Sequence, residues 1–365
     1  MSPHARSLRP NQLVESLEES VTLAIAALAR NMRQQGVDVI SLSAGEPDFG
    51  TVEAVGEAGI RAIRGGETRY TAAAGTPELR RAAAAWFQRE FGLQFGSDQV
   101  MATAGIKPAL HMALSTLVEP GDTVLLPAPY WASYPSLVQI ARGVPVDVPA
   151  GPEQGFLPTG ADIRAAARTH RARGIMLNFP NNPSGAVPDR AQLEEIVAAA
   201  AEEDLWILSD EIYSSILYDG AEHISPANLD PERTLVVNGG SKSHSLTGWR
   251  IGFLAGPADV IAAAARLQSQ AIGNPCSISQ AAGLEACAGD HSAEIARRVA
   301  AFDSRRRFLV DALNEIDGLA ATLPRGAFYV LADARPLCAR YGVDDVGLAK
   351  LMLERARVAV VPGTP

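Results

Sequence analysis

The chain of 365 residues has only three cysteines, Cys276, Cys287 and Cys338. Their number is odd and no C-x-x-C spacing occurs, which excludes a disulfide framework and a zinc ribbon. Such usage fits a reducing compartment, the cytoplasm, where each cysteine is expected to pack as a small buried apolar residue. The six histidines are scattered, without H-E-x-x-H spacing, so no metal site is expected. No apolar run is long enough to span a membrane, and the polar stretch Met1 to Asn11 lacks the apolar core of a signal peptide. No basic tract occurs, and 32 Lys and Arg against 41 Asp and Glu leave a net charge of −9. A chain of that sign is a poor partner for nucleic acid.

What is present fits a globular enzyme. Hydrophobic residues make up 47% and charged residues 20%, and the length suits one large domain with a smaller one. Short apolar runs predict strands at Val100–Thr103, Thr123–Leu126, Val144–Val148, Ile175–Phe179, Leu205–Ser209, Thr234–Asn238 and Ile251–Ala255. Such nearly continuous apolar runs suit strands covered on both faces. Helical patterns lie between many of them. Thr76 caps one, with Pro77 at its first position and Gly92 at its end; Asp189 and Gln192 form a capping box for another that runs through Glu203. The alanine-rich runs Ala82–Ala85 and Ala198–Ala201 fall inside helices. Strand–helix–strand repetition predicts an α/β fold, a mostly parallel sheet flanked by helices.

After about Gln280 the alternation loosens. A helix from Ser292 to Ile316, with Arg305, Arg306 and Arg307 on its solvated face, leads to a strand at Phe328–Leu331. A helix near Asp344–Arg355 and a strand at Val358–Val361 follow. This reads as a second, smaller α+β domain, with which a helix near Val21–Gln35 packs. The expected division is a large domain over residues 46–285 and a small one from residues 1–45 and 286–365.

In a parallel sheet, ligands bind beyond the carboxyl ends of the strands. Polar residues after strands are therefore the candidates. Ser241-Lys242 follows a strand, with Arg250 eight residues on. A lysine there can form a Schiff base, and an arginine can hold a phosphate with two hydrogen bonds. Walker A is excluded because Ser241, not glycine, precedes the lysine, and no G-x-G-x-x-G opens the first βα unit. Asp210, at another strand end, can partner a ligand cation, and Tyr213 lies three residues further. Asn182 sits in the turn-rich stretch Asn178 to Gly185, and Gly105-Ile106-Lys107 joins a strand to a helix whose amides suit a phosphate. Trp131 could stack on a flat ring. Each candidate also has a plain structural reading as a surface cation, a cap, a turn or a core aromatic.

Their order along one chain is more specific. Gly45-Glu46-Pro47-Asp48, Arg69-Tyr70-Thr71 with Gly75-Thr76-Pro77, Gly105-Ile106-Lys107, Pro129-Tyr130-Trp131, Asn182-Pro183-Ser184-Gly185, Asp210-Glu211-Ile212-Tyr213, Ser241-Lys242 and Gly248-Trp249-Arg250 succeed one another. Together they resemble the fold-type I, class I and II aminotransferases, most of all the bacterial aspartate aminotransferase branch, over essentially the whole chain.

The resemblance implies pyridoxal 5′-phosphate as cofactor. Lys242 would form the aldimine and move the substrate proton, Asp210 would pair with the pyridine nitrogen, and Asn182 and Tyr213 would face the phenolic oxygen. Trp131 would stack on the ring. Ser241, Arg250 and the Gly105-Ile106-Lys107 backbone would hold the phosphate. Tyr70 would reach the phosphate of a neighbouring subunit, which implies a homodimer. Gly45, Lys107, Trp131 and Asn182 would meet the substrate, Lys107 at the side-chain carboxylate of aspartate or glutamate. The implied reaction is a ping-pong exchange of an amino group between an amino acid and a 2-oxo acid.

One departure stands out. The sequence ends at Val360-Val361-Pro362-Gly363-Thr364-Pro365, where the family continues to an Arg-Leu-Ser-like motif whose arginine clamps the substrate α-carboxylate. No residue here takes that role, so cofactor binding is expected to survive better than turnover. Two alternatives stay open: a β-lyase or decarboxylase on the same scaffold, and a cofactor-binding protein with impaired catalysis.

Overall fold

The computed structural model describes residues 8–17 and 21–363. Residues 1–7 of the polar N-terminal stretch, and Thr364 and Pro365 of the final one, lie outside the described residues. The strands, in chain order, are β1 (Ile40–Ser41), β2 (Val100–Thr103), β3 (Thr123–Ala128), β4 (Val144–Pro149), β5 (Gly174–Asn178), β6 (Trp206–Asp210), β7 (Thr234–Asn238), β8 (Gly252–Ala255), β9 (Ala320–Ala321), β10 (Ala332–Asp333) and β11 (Val358–Ala359). Seven of them form one sheet in the order β2-β8-β7-β6-β5-β3-β4. The pairs β4–β3, β3–β5, β5–β6 and β6–β7 are parallel; β8 runs against both of its neighbours, β7 and β2. The fold is α/β with a mostly parallel central sheet flanked by helices, as its sequence pattern predicts.

The apolar runs became strands because both faces of the sheet are covered. Every residue of β2, β5, β7 and β8 is buried. One layer packs Leu79, Phe87, Val100, Val236 and Phe253 together; another packs Leu110, Leu114, Val124, Leu126, Met176 and Leu208. Burying side chains of this size contributes about 1.5–3 kcal/mol each.

The helix ends follow their caps. Thr76 Oγ1 accepts from the Leu79 amide at 3.3 Å, and Gly92 closes helix Pro77–Phe91 at φ 67°, a left-handed conformation that glycine takes without steric penalty. Asp189 Oδ1 accepts from the Gln192 amide and Gln192 Oε1 from the Asp189 amide, both at 2.9 Å, at the head of helix Arg190–Glu202.

The N-terminal helix, Val21–Gln34, packs against the other end of the chain. Ile25, Ala29 and Val39 share a cluster with Ala349, Leu353 and Ala359, and β1 pairs in parallel with β11.

Four expectations need correction. Phe328–Leu331 is not a strand; the short pair is β9 with β10. Its apolar character serves side-chain burial instead, since Phe328 stacks on Phe302 at 5.2 Å. The helix expected over Asp344–Arg355 is helical only over Asp345–Leu351, then widens into a π turn at Met352–Ala356. Arg306 is not solvated: it is 4% exposed, lies 4.2 Å over the Tyr218 ring and pairs with Asp219 and Asp303. Three successive residues on a helix cannot share a face, so Arg305 and Arg307 stay exposed while Arg306 turns inward. Of the cysteines only Cys287 is buried; Cys276 is exposed and Cys338 partly so.

Candidate active site

The centre lies at the carboxyl ends of adjacent parallel strands. Asn178 ends β5, Asp210 ends β6, and these two residues are register partners; Lys242 follows β7 by four residues. Asp210 is 3% exposed. Its Oδ2 accepts from the Tyr134 hydroxyl at 2.9 Å and its Oδ1 from the Ile212 amide at 3.2 Å. Asn178 Nδ2 donates to the Asp210 carbonyl at 2.8 Å, while Asn178 Oδ1 accepts from the Asn182 amide at 2.8 Å. Burial pushes the Asp210 carboxyl up to about 6, against the opposing pull of these donors and of Lys242.

Lys242 is held from the opposite side. Its Nζ donates to the Gly45 carbonyl at 2.6 Å and lies 5.9 Å from the ring centres of both Tyr213 and Phe328. Desolvation lowers its pKa; Asp210 and Glu46 work against this, and Arg250 adds to it. The Tyr213 hydroxyl lies 2.6 Å from that of Tyr329, and burial raises both phenols, so both are neutral and either can donate to the other.

A cationic corner completes the site. Gly105 caps helix Ile106–Leu117 with φ 100°, and a Cβ there would sit 2.7 Å from the Arg250 guanidinium. A glycine is needed both for that backbone angle and for that approach. Arg250 Nη1 donates to the Thr247 carbonyl at 2.8 Å, and Arg250 itself holds φ 55°. Lys107 Nζ donates to Ser133 Oγ at 3.0 Å and lies 4.6 Å from the Trp131 ring centre; burial first, then Arg250, lowers its pKa. Trp131 stands edge-on to Tyr134 at 5.6 Å. Ser241 is buried. A cavity of about 400 Å³ opens beside Gly45, lined by Glu46, Phe49, Thr247 and Trp249 among others, and the Thr247 hydroxyl bonds Glu46 across it.

The fold thus gathers Gly45, Gly105, Ile106, Lys107, Trp131, Asn182, Asp210, Tyr213, Ser241, Lys242 and Arg250 at one edge of the sheet, beyond the ends of β2, β3, β5, β6 and β7. Tyr70 is different, since it stands 98% exposed. Sequence reasoning missed Tyr134, Ser133 and Tyr329. Tyr134 had a signal: it lies three residues after Trp131, and its amide donates to the Trp131 carbonyl in a turn at 2.9 Å. Tyr329 had none, because its segment read as a strand.

A buried acid at one end, a desolvated amine beside it and a cationic helix start at the other form the candidate site of this α/β fold. A model of the family "Aminotransferase class I and II" matches residues 37–365. The aspartate/prephenate aminotransferase of Thermus thermophilus is 44% identical over 355 residues, covering 96% of this chain and 90% of that one. An aspartate aminotransferase of Rhizobium meliloti is 42% identical over 367 residues, covering 98% and 89%. The solved structure of the Thermus thermophilus aspartate aminotransferase with maleate superposes with a TM-score of 0.93 at 43% identity, covering 98% of this chain and 92% of that one. The chain belongs to the class I and II aminotransferase family and is an aminotransferase acting on amino acids.

Proposed function

We propose that the chain uses pyridoxal 5′-phosphate to exchange an amino group between aspartate or glutamate and a 2-oxo acid. The observation that carries this reading is the facing pair at the strand ends: a buried Asp210 pushed to about 6 and a desolvated Lys242. The residues fit the cofactor. An acid titrating near 6 is ionised at neutral pH and can keep a proton on a ring nitrogen. At the other end, the glycine start of a helix and the Arg250 guanidinium form a cradle that a Cβ would fill.

When bound, pyridoxal phosphate supplies the electron sink for charge that develops at the substrate α-carbon. The chain supplies the rest. Asp210 holds the ring-nitrogen proton, and the Tyr134 hydroxyl orients its carboxylate. Lys242 needs a neutral amine to bond the cofactor and then to carry a proton at Nζ, and its lowered pKa favours that form. Asn182 and Tyr213 would hold the cofactor's phenolic oxygen, and Trp131 would pack against its ring. Ser241, Arg250 and the Gly105, Ile106 and Lys107 amides take the phosphate. Gly45, Lys107, Trp131 and Asn182 line the substrate side. Lys107 Nζ, held by Ser133, is the cation for a side-chain carboxylate.

A homodimer follows from Tyr70, which belongs to the phosphate site of a second copy; its 98% exposure supports this. The same reading divides the chain into a large cofactor-binding domain over residues 46–285 and a small one from residues 1–45 and 286–365. Three unpaired cysteines fit an enzyme of amino-acid biosynthesis in the cytoplasm. Among the described residues no helix is long and apolar enough to cross a membrane. Prephenate stands beside aspartate as an acceptor-side candidate, from the names of the relatives.

Product analysis tests the reading. Beyond one equivalent per active site, aspartate should be converted only when a 2-oxo acid is supplied, with one oxo acid formed per acceptor consumed. Continued loss of aspartate without an acceptor would establish a lyase or decarboxylase instead.

A further inference from the structure

Directly behind Asp210 lies a second carboxyl. Successive residues of an extended chain point to opposite faces, so Glu211 turns away from Lys242 and into the protein. It is fully buried. One of its oxygens accepts from Ser209 Oγ at 2.8 Å and from Ser225 Oγ at 2.5 Å. The other lies 2.9 Å from His223 Nε2, in an imidazole whose side chain is 4% exposed and whose ring stands edge-on to Phe91 at 5.7 Å. Three groups from the end of β6 and the 223–225 loop thus close around one carboxyl.

This arrangement matters for Asp210. Two adjacent buried carboxylates repel, and the charge of Glu211 is among the influences that raise Asp210. Tyr134, Tyr213, Tyr329 and Lys242 face Asp210 from the other elements around it, and the three phenols are neutral. His223 is the basic group on Glu211. A buried carboxylate is stable only when paired or neutralised.

We propose that His223, hydrogen-bonded to Glu211 at 2.9 Å, holds and screens the charge of that carboxylate, so that His223 acts as a positioning residue for the charge of Asp210. Without His223 the carboxylate of Glu211 keeps only the two serine hydroxyls, and its less screened charge drives Asp210 towards its neutral form. The inference rests on the cofactor reading above, in which Asp210 serves the ring nitrogen.

The test follows the visible absorbance band of the pyridoxal phosphate-loaded protein against pH in four proteins: wild type, His223→Gln, Glu211→Gln and the double variant. A ring that loses its proton draws less charge from the lysine-bound nitrogen, which then titrates higher. His223→Gln should raise the midpoint by about one pH unit and weaken cofactor affinity about tenfold. Glu211→Gln removes the charge itself, so that variant and the double variant should not rise above the wild-type midpoint. A merely structural cluster predicts another order, with the double variant, which loses most hydrogen bonds, displaced furthest. That order, or an unmoved midpoint in His223→Gln, overturns the proposal. A wild-type protein with no visible band would overturn the cofactor reading, and the inference with it.

Discussion

Replacing Asp210 by Asn should make the cofactor-free protein more stable while making it a worse cofactor binder. Burial raises the carboxyl from 3.8 to about 6. For an acid raised on folding, the folded state binds more protons than the unfolded state between those two values. The resulting destabilisation is therefore absent below about pH 3.8, grows as pH rises towards 6, and is constant above. A difference of about two pH units corresponds to about 3 kcal/mol on the plateau, and to about half of that at pH 5. Asn fills the same space and can still meet the Tyr134 hydroxyl and the Ile212 amide, each a single hydrogen bond. Urea unfolding of the cofactor-free proteins at about pH 8 and pH 5 reads the gain directly. The gain should reach up to about 3 kcal/mol at the higher pH and shrink at the lower. Pyridoxal phosphate should reverse the order, because the stabilisation that a ligand confers scales with its affinity. A variant less stable at both pH values, or a gain independent of pH, would refute the claim that Asp210 is ionised at a desolvation cost.

Three further outcomes are expected. Gly105→Ala puts a side chain at φ 100° and within 2.7 Å of the Arg250 guanidinium; the strain of about 1–3 kcal/mol should appear as cofactor affinity lost about tenfold or more in a spectroscopic titration. Arg306→Ala removes a buried guanidinium from over Tyr218 and from the Pro324 carbonyl, leaves Asp219 and Asp303 to Arg307 alone, and should cost about 1–3 kcal/mol in urea unfolding. Asp48→Asn breaks the exposed bidentate pair with Arg305, at 2.8 and 3.0 Å, and should change stability by less than about 1 kcal/mol in the same assay.

The central sheet was legible because its strands are buried on both faces, which turns topology into continuous apolar runs. Val100–Thr103 and Thr234–Asn238 have the bounds their pattern predicts. The helix ends at Thr76, Gly92 and Asp189 were legible because caps are local chemistry. The candidate site was legible as an ordered series of motifs. Its supporting residues were not, because Tyr134 and Tyr329 acquire their meaning only when Asp210 and Tyr213 arrive from other elements. Arg306 shows the same limit, since a run of three arginines does not reveal which one a distant Asp219 and Tyr218 will bury. The aromatic segment at Phe328 and Tyr329 read as a strand because apolar residues that cover a site and apolar residues that pair in a sheet look alike in one dimension.

The central claim is that Lys242 holds the cofactor and passes an amino group through it. Its most direct test is the absorbance spectrum of the purified full chain with pyridoxal phosphate, before and after aspartate, then after 2-oxoglutarate, alongside Lys242→Ala. The account predicts a visible band that aspartate removes, that 2-oxoglutarate restores and that the variant lacks. A band that persists unchanged in Lys242→Ala, or one in the wild type that no acidic amino acid alters, would contradict it.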